Sequence, residues 1–180
     1  MAKDHDPHRL DVRRFAEEGA GLASEDALRR YPRLTAEVQD GAADRPVTWQ
    51  ARGELLNPRH VQPQVWLHLD AAARLPLVCQ RCLGPVDVPL SVRRSFRFVP
   101  DEATAAAEDD EAEEDLLALT RSFDLVELVE DELLMELPVA PMHDACPQPV
   151  KMSAEDEDFD AAGGKRENPF AVLGRLKAGK

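Results

Sequence analysis

Between residues 47 and 98 apolar side chains recur at every second position, in runs broken by short turn signals. A period of two puts successive side chains on opposite faces, so these runs read as half-buried strands of an antiparallel sheet. Val47, Trp49, Ala51, Gly53 and Leu55 alternate with Thr48, Gln50, Arg52 and Glu54, and Asn57-Pro58-Arg59-His60 then turns the chain. Val65, Leu67, Leu69 and Ala71 form a second run, with Trp66, His68 and Asp70 on its other side. Leu75 to Cys79 reads as a third strand, and Val86, Val88, Leu90, Val92, Phe96 and Phe98 as a long fourth, interrupted by Arg94. Pro89 in that last run predicts an edge position or a bulge. The last two strands meet at Cys79-Gln80-Arg81-Cys82-Leu83-Gly84-Pro85, a tight connection holding two thiols. The pattern predicts an α+β fold. Its centre is an antiparallel β meander, or a partly closed barrel-like sheet, covered by an amphipathic helix.

That helix is Phe123 to Leu137, with Ser122 or Asp124 as cap. Leu125, Leu128, Val129, Leu133, Met135 and Leu137 make one stripe, and Glu127, Glu130, Asp131, Glu132 and Glu136 dominate the other side. The acids read as a solvated helix surface, with pairing to sheet arginines as the alternative. Pro138 stops the helix. Upstream, Phe15 to Glu18 precedes Gly19, and Ser24 to Arg30 has the capping and charge polarity of a short helix ended by Pro32. Leu34, Ala36 and Val38 alternate as a strand. Asp101 to Asp115 holds nine acids and no base, and reads as a solvated linker within 101–122. The expected organisation is one folded unit over residues 1–150. Residues 151–180 follow as an acidic flexible tether with a short C-terminal helix, capped at Asn168, opened by Pro169 and carrying Phe170, Leu173 and Leu176.

At 180 residues the chain suits one ordinary domain with tails. No apolar run approaches the ~20 residues that span a bilayer. The start, Met1-Ala2-Lys3-Asp4-His5-Asp6, is charged where a signal peptide is apolar. Three cysteines, two of them adjacent in a C-x-x-C, fit a reducing compartment, so the expected location is cytoplasmic. The net charge of −13 is uneven. Residues 45–99 carry eight arginines against Glu54, Asp70 and Asp87, whereas residues 100–180 carry 7 basic and 22 acidic side chains. An acidic chain as a whole is a poor sequence-independent binder of phosphate backbones. A basic sheet face could still meet RNA locally, and the acidic parts could hold a basic protein.

Four residues stand out for metal. Cys79-x-x-Cys82 is half of a tetrahedral zinc site, and His143-x-x-Cys146, just after the helix, supplies a second half. Such a Cys₃His site would be structural, with no open position for catalysis. The plain alternative is two small side chains at a tight hairpin. A thioredoxin-like redox pair is disfavoured, because a strand follows the thiols and no helix N-terminus points at them. For RNA, Arg93 and Arg97 share one face of the fourth strand with Ser91 and Ser95, while Arg81 and Arg74 lie on the neighbouring hairpin. Guanidinium groups so placed suit phosphate, and Trp66 and His68 would add stacking if they share that face. The competing reading pairs these arginines with the acidic helix. No phosphate loop, nucleophile elbow or metal-hydrolase histidine pair occurs, so no small-molecule substrate and no enzyme activity is expected.

Three segments in order carry a further signal: Cys-Gln-Arg-Cys at 79–82, Phe123-Asp-Leu-Val-Glu-Leu-Val-Glu-Asp-Glu-Leu-Leu-Met-Glu-Leu-Pro-Val-Ala-Pro-Met-His-Asp144, and Asn168-Pro-Phe-Ala-Val-Leu-Gly-Arg-Leu-Lys177. Together they resemble the YceD family of bacterial large ribosomal RNA subunit accumulation proteins. The resemblance implies a non-catalytic role in synthesis, processing or stability of large-subunit (23S) rRNA. The implied partners are that rRNA or pre-ribosomal particles, or a basic ribosomal protein held by the acidic segments; a zinc-stabilised interaction module is the remaining alternative. Relatives carry a second cysteine pair downstream of the same helix, which supports the metal reading, with His143 here in place of one thiol.

Overall fold

The computed structural model describes residues 5–39 and 41–147. Five strands form one open mixed sheet in the order β1 (Gly21–Ala27), β2 (Pro46–Leu56), β3 (Gln64–Val78), β4 (Pro85–Val99), β5 (Asp115–Ala118). The first four are antiparallel neighbours; β5 lies parallel to the end of β4, from Phe96 to Val99. Four helices accompany it among the described residues: α1 (Val12–Glu17), α2 (Pro32–Ala36), α3 (Glu102–Glu108) and α4 (Leu125–Met135). A 3-10 turn, Leu28–Arg30, joins β1 to α2.

The meander is the one the alternation predicts, with one fusion. Val65 to Leu77 buries every odd residue without losing phase, so the expected second and third strands are a single 15-residue β3. β4 pairs with it continuously from Val78↔Pro85 to Val65↔Phe98. No residue is left over, so Pro89 sits at an edge rather than in a bulge: β5 reaches only Phe96, leaving the outer side of β4 unpaired at Pro89.

One face of the sheet is the core. Trp49, Ala51, Leu67, Leu69, Leu75, Leu90, Val92 and Phe96 point to it and are buried. Each large aliphatic there contributes about 1.5–3 kcal/mol by leaving water. α1 brings Val12, Phe15 and Ala16, and α4 brings Leu125, Val129 and Leu133. α1 crosses β2 at Gly53, where a Cβ would lie 2.7 Å from Phe15 Cδ1 and 2.8 Å from the backbone of Ala16. Only glycine permits that approach.

Several expectations fail for tertiary reasons. Ser24 to Ala27 is strand, not helix, because β1 pairs residue by residue with β2 and turns Asp26 toward the core. There the Asp26 carboxylate accepts from the Trp49 indole (3.0 Å), Tyr31 hydroxyl (3.0 Å), Ser24 hydroxyl (3.0 Å) and Arg30 (2.7 Å). Pro32 opens α2 instead of only ending a helix, and Leu34 and Ala36 lie in α2 rather than in a strand. The acidic stretch read as a linker forms α3 and β5, with Asp101 capping α3 through the Thr104 N–H at 2.8 Å. In α4 the expected stripe holds through Leu133, but Met135 is exposed.

The acids of α4 also differ from a solvated surface. Glu130 and Glu132 are each 5 % exposed. Glu130 accepts from the Arg33 and Leu34 backbone N–H groups (2.7 and 3.0 Å) and from Arg33 Nε (3.1 Å), satisfying the N-terminus of α2 from another helix. Glu132 lies 3.5 Å from Arg94, the sheet-arginine pairing raised as the alternative. The tether and Asn168 helix of residues 151–180 lie outside the described residues.

Candidate metal centre and nucleic-acid interface

The β3–β4 connection is a knuckle. Cys79 N–H donates to the Gly84 carbonyl at 2.9 Å, and Leu83 N–H to the Cys79 carbonyl at 2.8 Å. This tight closure puts Leu83 at φ +59, a left-handed conformation that costs a non-glycine residue about 1–2 kcal/mol. Past α4, the chain returns over the knuckle, and Gln80 N–H donates to the Pro141 carbonyl at 2.8 Å. That return delivers His143 and Cys146 to Cys79 and Cys82, so all four expected residues meet. Their ligand atoms lie within 4.8 Å of one another.

The four groups could hold a metal ion. Cys79 is fully buried, and burial alone would push its thiol up. N–H groups of Cys82, His143 and Arg81 aimed at its sulfur outweigh burial and bring it down to about 5. The Cys146 thiol is pushed up by burial and then by Cys82 and Cys79. His143 Nε2 lies 2.9 Å from the Pro85 carbonyl, which can only accept, so Nε2 carries the proton. Nδ1 is left as a lone pair 3.5 Å from Cys82 Sγ. A carbonyl orienting the far nitrogen is the usual support of a metal-bound histidine. Three thiols and an imidazole suit zinc, whose ~2.0–2.3 Å bonds need ligand atoms converging as these do. With four protein ligands the group would be structural, cross-linking the hairpin to the segment after α4.

The three arginines read from sequence divide. Arg97 is 17 % exposed at its side chain and is held by Glu108 at 3.0 Å and by Glu114. Arg93 is 90 % exposed and bonds Asp70 at 2.8 Å. Arg81 is exposed and makes no ion pair among the described residues; its guanidinium lies 4.0 Å from Met142 Sδ. Trp66 and His68 do share the Arg93 face, stacked at 6.4 Å and 10°. His68 is engaged, however, by Glu54 at 2.8 Å and Ser95 at 2.9 Å. Glu130 and Glu132 had no local signal, because their partners Arg33 and Arg94 come from elsewhere in the chain.

The fold and site define a class: an open mixed sheet with helices over one face, and a Cys₃His cluster joining its longest hairpin to the segment beyond α4. The family model of the large ribosomal RNA subunit accumulation protein YceD matches residues 67–177, which takes in all four cluster residues. The chain belongs to the YceD family. The large ribosomal RNA subunit accumulation protein YceD of Haemophilus influenzae (strain ATCC 51907 / DSM 11121 / KW20 / Rd) is 30 % identical over 125 residues, covering 66 % of this chain and 70 % of that protein. No solved structure matches the chain.

Proposed function

We propose that this chain is a non-catalytic ribosome biogenesis factor that supports the synthesis, processing or stability of large-subunit (23S) rRNA by meeting that rRNA or a pre-ribosomal particle. Family membership over residues 67–177 carries the reading. Zinc at Cys79, Cys82, His143 and Cys146 is structural in this proposal and makes the hairpin a rigid element. Of the arginines, Arg81 is free to reach a phosphate, Arg93 is shared with Asp70, and Arg97 is committed to Glu108 and Glu114. In this proposal residues 1–150 are the working domain. The three free cysteines suit the cytoplasm. No helix among the described residues is long and apolar enough to cross a membrane.

The test is depletion of the protein in its own cells, reading the ratio of large- to small-subunit rRNA. The ratio falls on depletion and recovers with the intact gene; an unchanged ratio overturns the proposal.

A second reading has its own support. Glu102, Asp109, Asp110, Glu111 and Glu113 are exposed on the α3–β5 segment and make no ion pair among the described residues. They could hold a basic ribosomal protein. Under that reading, charge-neutral replacements there weaken a protein complex, most at low salt where exposed charges are least screened. Under the first reading they leave RNA crosslinking intact.

A further inference from the structure

We propose that the tip of the β3–β4 hairpin, built from Leu83, Val78 and Arg81, with Arg74 further along β3, takes up unpaired bases of a single-stranded RNA segment. The inference rests on the rRNA reading above and names the site of contact. Its first support is Leu83. The knuckle forces this residue to φ +59, yet its side chain is 74 % exposed. A leucine there strains the backbone and returns almost nothing to the core, where glycine would be free of strain. Strain retained without a packing return points to a side chain kept for display.

The surroundings specify the ligand. Val78 and Met142 are exposed beside the knuckle. Arg74 lies on the same face of β3 as Val78, and Arg81 lies against Met142. Arg74 and Arg81 make no ion pair among the described residues, whereas Arg45, Arg52, Arg93, Arg94 and Arg97 all do. Of the acids beside Arg81, Asp87 is taken by Arg45 and Asp144 makes no ion pair among the described residues, so Arg74 and Arg81 leave the region mildly cationic on an acidic chain, and it calls for an anionic partner. Its few apolar side chains cannot furnish the roughly 800 Å² per partner of a stable protein interface. One or two bases need far less: a guanidinium plane stacks on a base, the aliphatic side chains pack against its face, and the spare charges meet the flanking phosphates. The metal clip would hold the tip in shape before binding, which lowers the cost of ordering it.

The experiment is a titration of the zinc-loaded full chain with a short fluorescent single-stranded RNA of mixed sequence, read by anisotropy. Leu83→Gly relieves the left-handed strain while removing the side chain, so its thermal midpoint stays level or rises. Its RNA affinity should fall about fivefold or more, the loss of one leucine side chain packed against a base. Arg81→Gln and Arg74→Gln should weaken binding and flatten its salt dependence. Equal affinity of wild type and Leu83→Gly overturns the inference. So does absence of wild-type binding, or equally tight binding of a poly-glutamate peptide. Large-subunit rRNA in cells separates the two proposals: if depletion lowers it while Leu83→Gly binds RNA normally, the site is wrong and the function stands.

Discussion

His143 Nε2 donates to the Pro85 carbonyl at 2.9 Å, and that bond decides which ring nitrogen faces the three thiols. Pro85 begins β4, so the first residue of a strand orients a side chain that arrives from beyond α4. The chain purified in the presence of zinc should hold one zinc ion, and Cys82→Ser should lose it. His143→Cys keeps a full ligand set and retains metal, whereas His143→Ala weakens binding. At free zinc a thousandfold above Kd, binding adds about 4 kcal/mol to stability. Chelation should then lower Tm by roughly 8–16 °C. Metal analysis and a melting curve with and without chelator check both statements.

Gly53→Ala tests the crossing of α1 over β2. The new methyl would meet Phe15 and Ala16 well inside contact distance, and the Ala16 backbone cannot swing away as a flexible side chain could. Overpacking of this kind costs about 1–3 kcal/mol. Urea unfolding should show a lower midpoint with an unchanged slope.

Glu130 replacements should follow hydrogen-bond capacity. Glu130→Ala leaves the buried Leu34 N–H and the part-buried Arg33 N–H without their acceptor and should cost about 1–3 kcal/mol. Glu130→Gln keeps a carbonyl acceptor and should cost less. Equal losses for the two variants would show that volume, not the acceptor, matters at this site.

Two buried carboxylates predict opposite pH responses. Burial pushes Asp26 up, but hydrogen bonds from Trp49, Ser24 and Tyr31 and the Arg30 charge outweigh it and hold it below its ordinary 3.8. A lowered carboxylate contributes stability above its unfolded pKa and loses it as pH falls through the folded one. The advantage of wild type over Asp26→Asn should therefore be full at neutral pH and shrink once pH drops below about 4. Glu132 is raised above its ordinary 4.5, first by burial, with Arg94 opposing and Asp115, Asp131 and Glu136 adding. Its contribution is present in acid and lost as pH rises through the folded pKa. Glu132→Gln should thus gain on wild type as pH climbs from about 4 toward 7. Denaturant titrations at several pH values test both signs.

Neutralising Glu108 and Glu114 to Gln releases Arg97 from its two partners. If the sheet face meets RNA, the double variant should bind RNA more tightly, with a steeper salt dependence. If the acids instead hold a basic protein, the same variant should weaken that complex. A binding series in increasing salt distinguishes the two.

The sequence by itself determined the parts whose signal is local. Alternation carries β2, most of β3 and β4, because a strand's buried face repeats every two residues wherever its partners lie. The stripe from Leu125 to Leu133, with Asp124 as cap, specifies α4 for the equivalent reason at helical period. The cysteine and histidine spacings named all four members of the cluster, since a turn of two residues already places paired ligands together. Tertiary structure decided the rest. Ser24 to Ala27 has helix-like polarity, but the ladder to β2 and the four donors around Asp26 make it a strand. Glu130 faces α2 because its partner Arg33 lies 97 residues away, a distance over which no sequence window carries information. Which arginines remain available was settled in the same way: Arg97 is neutralised by residues that fold back from α3 and β5, while Arg81 is left at the tip of the hairpin. Periodicity encodes which face a residue points to; only the packed chain determines what it meets there.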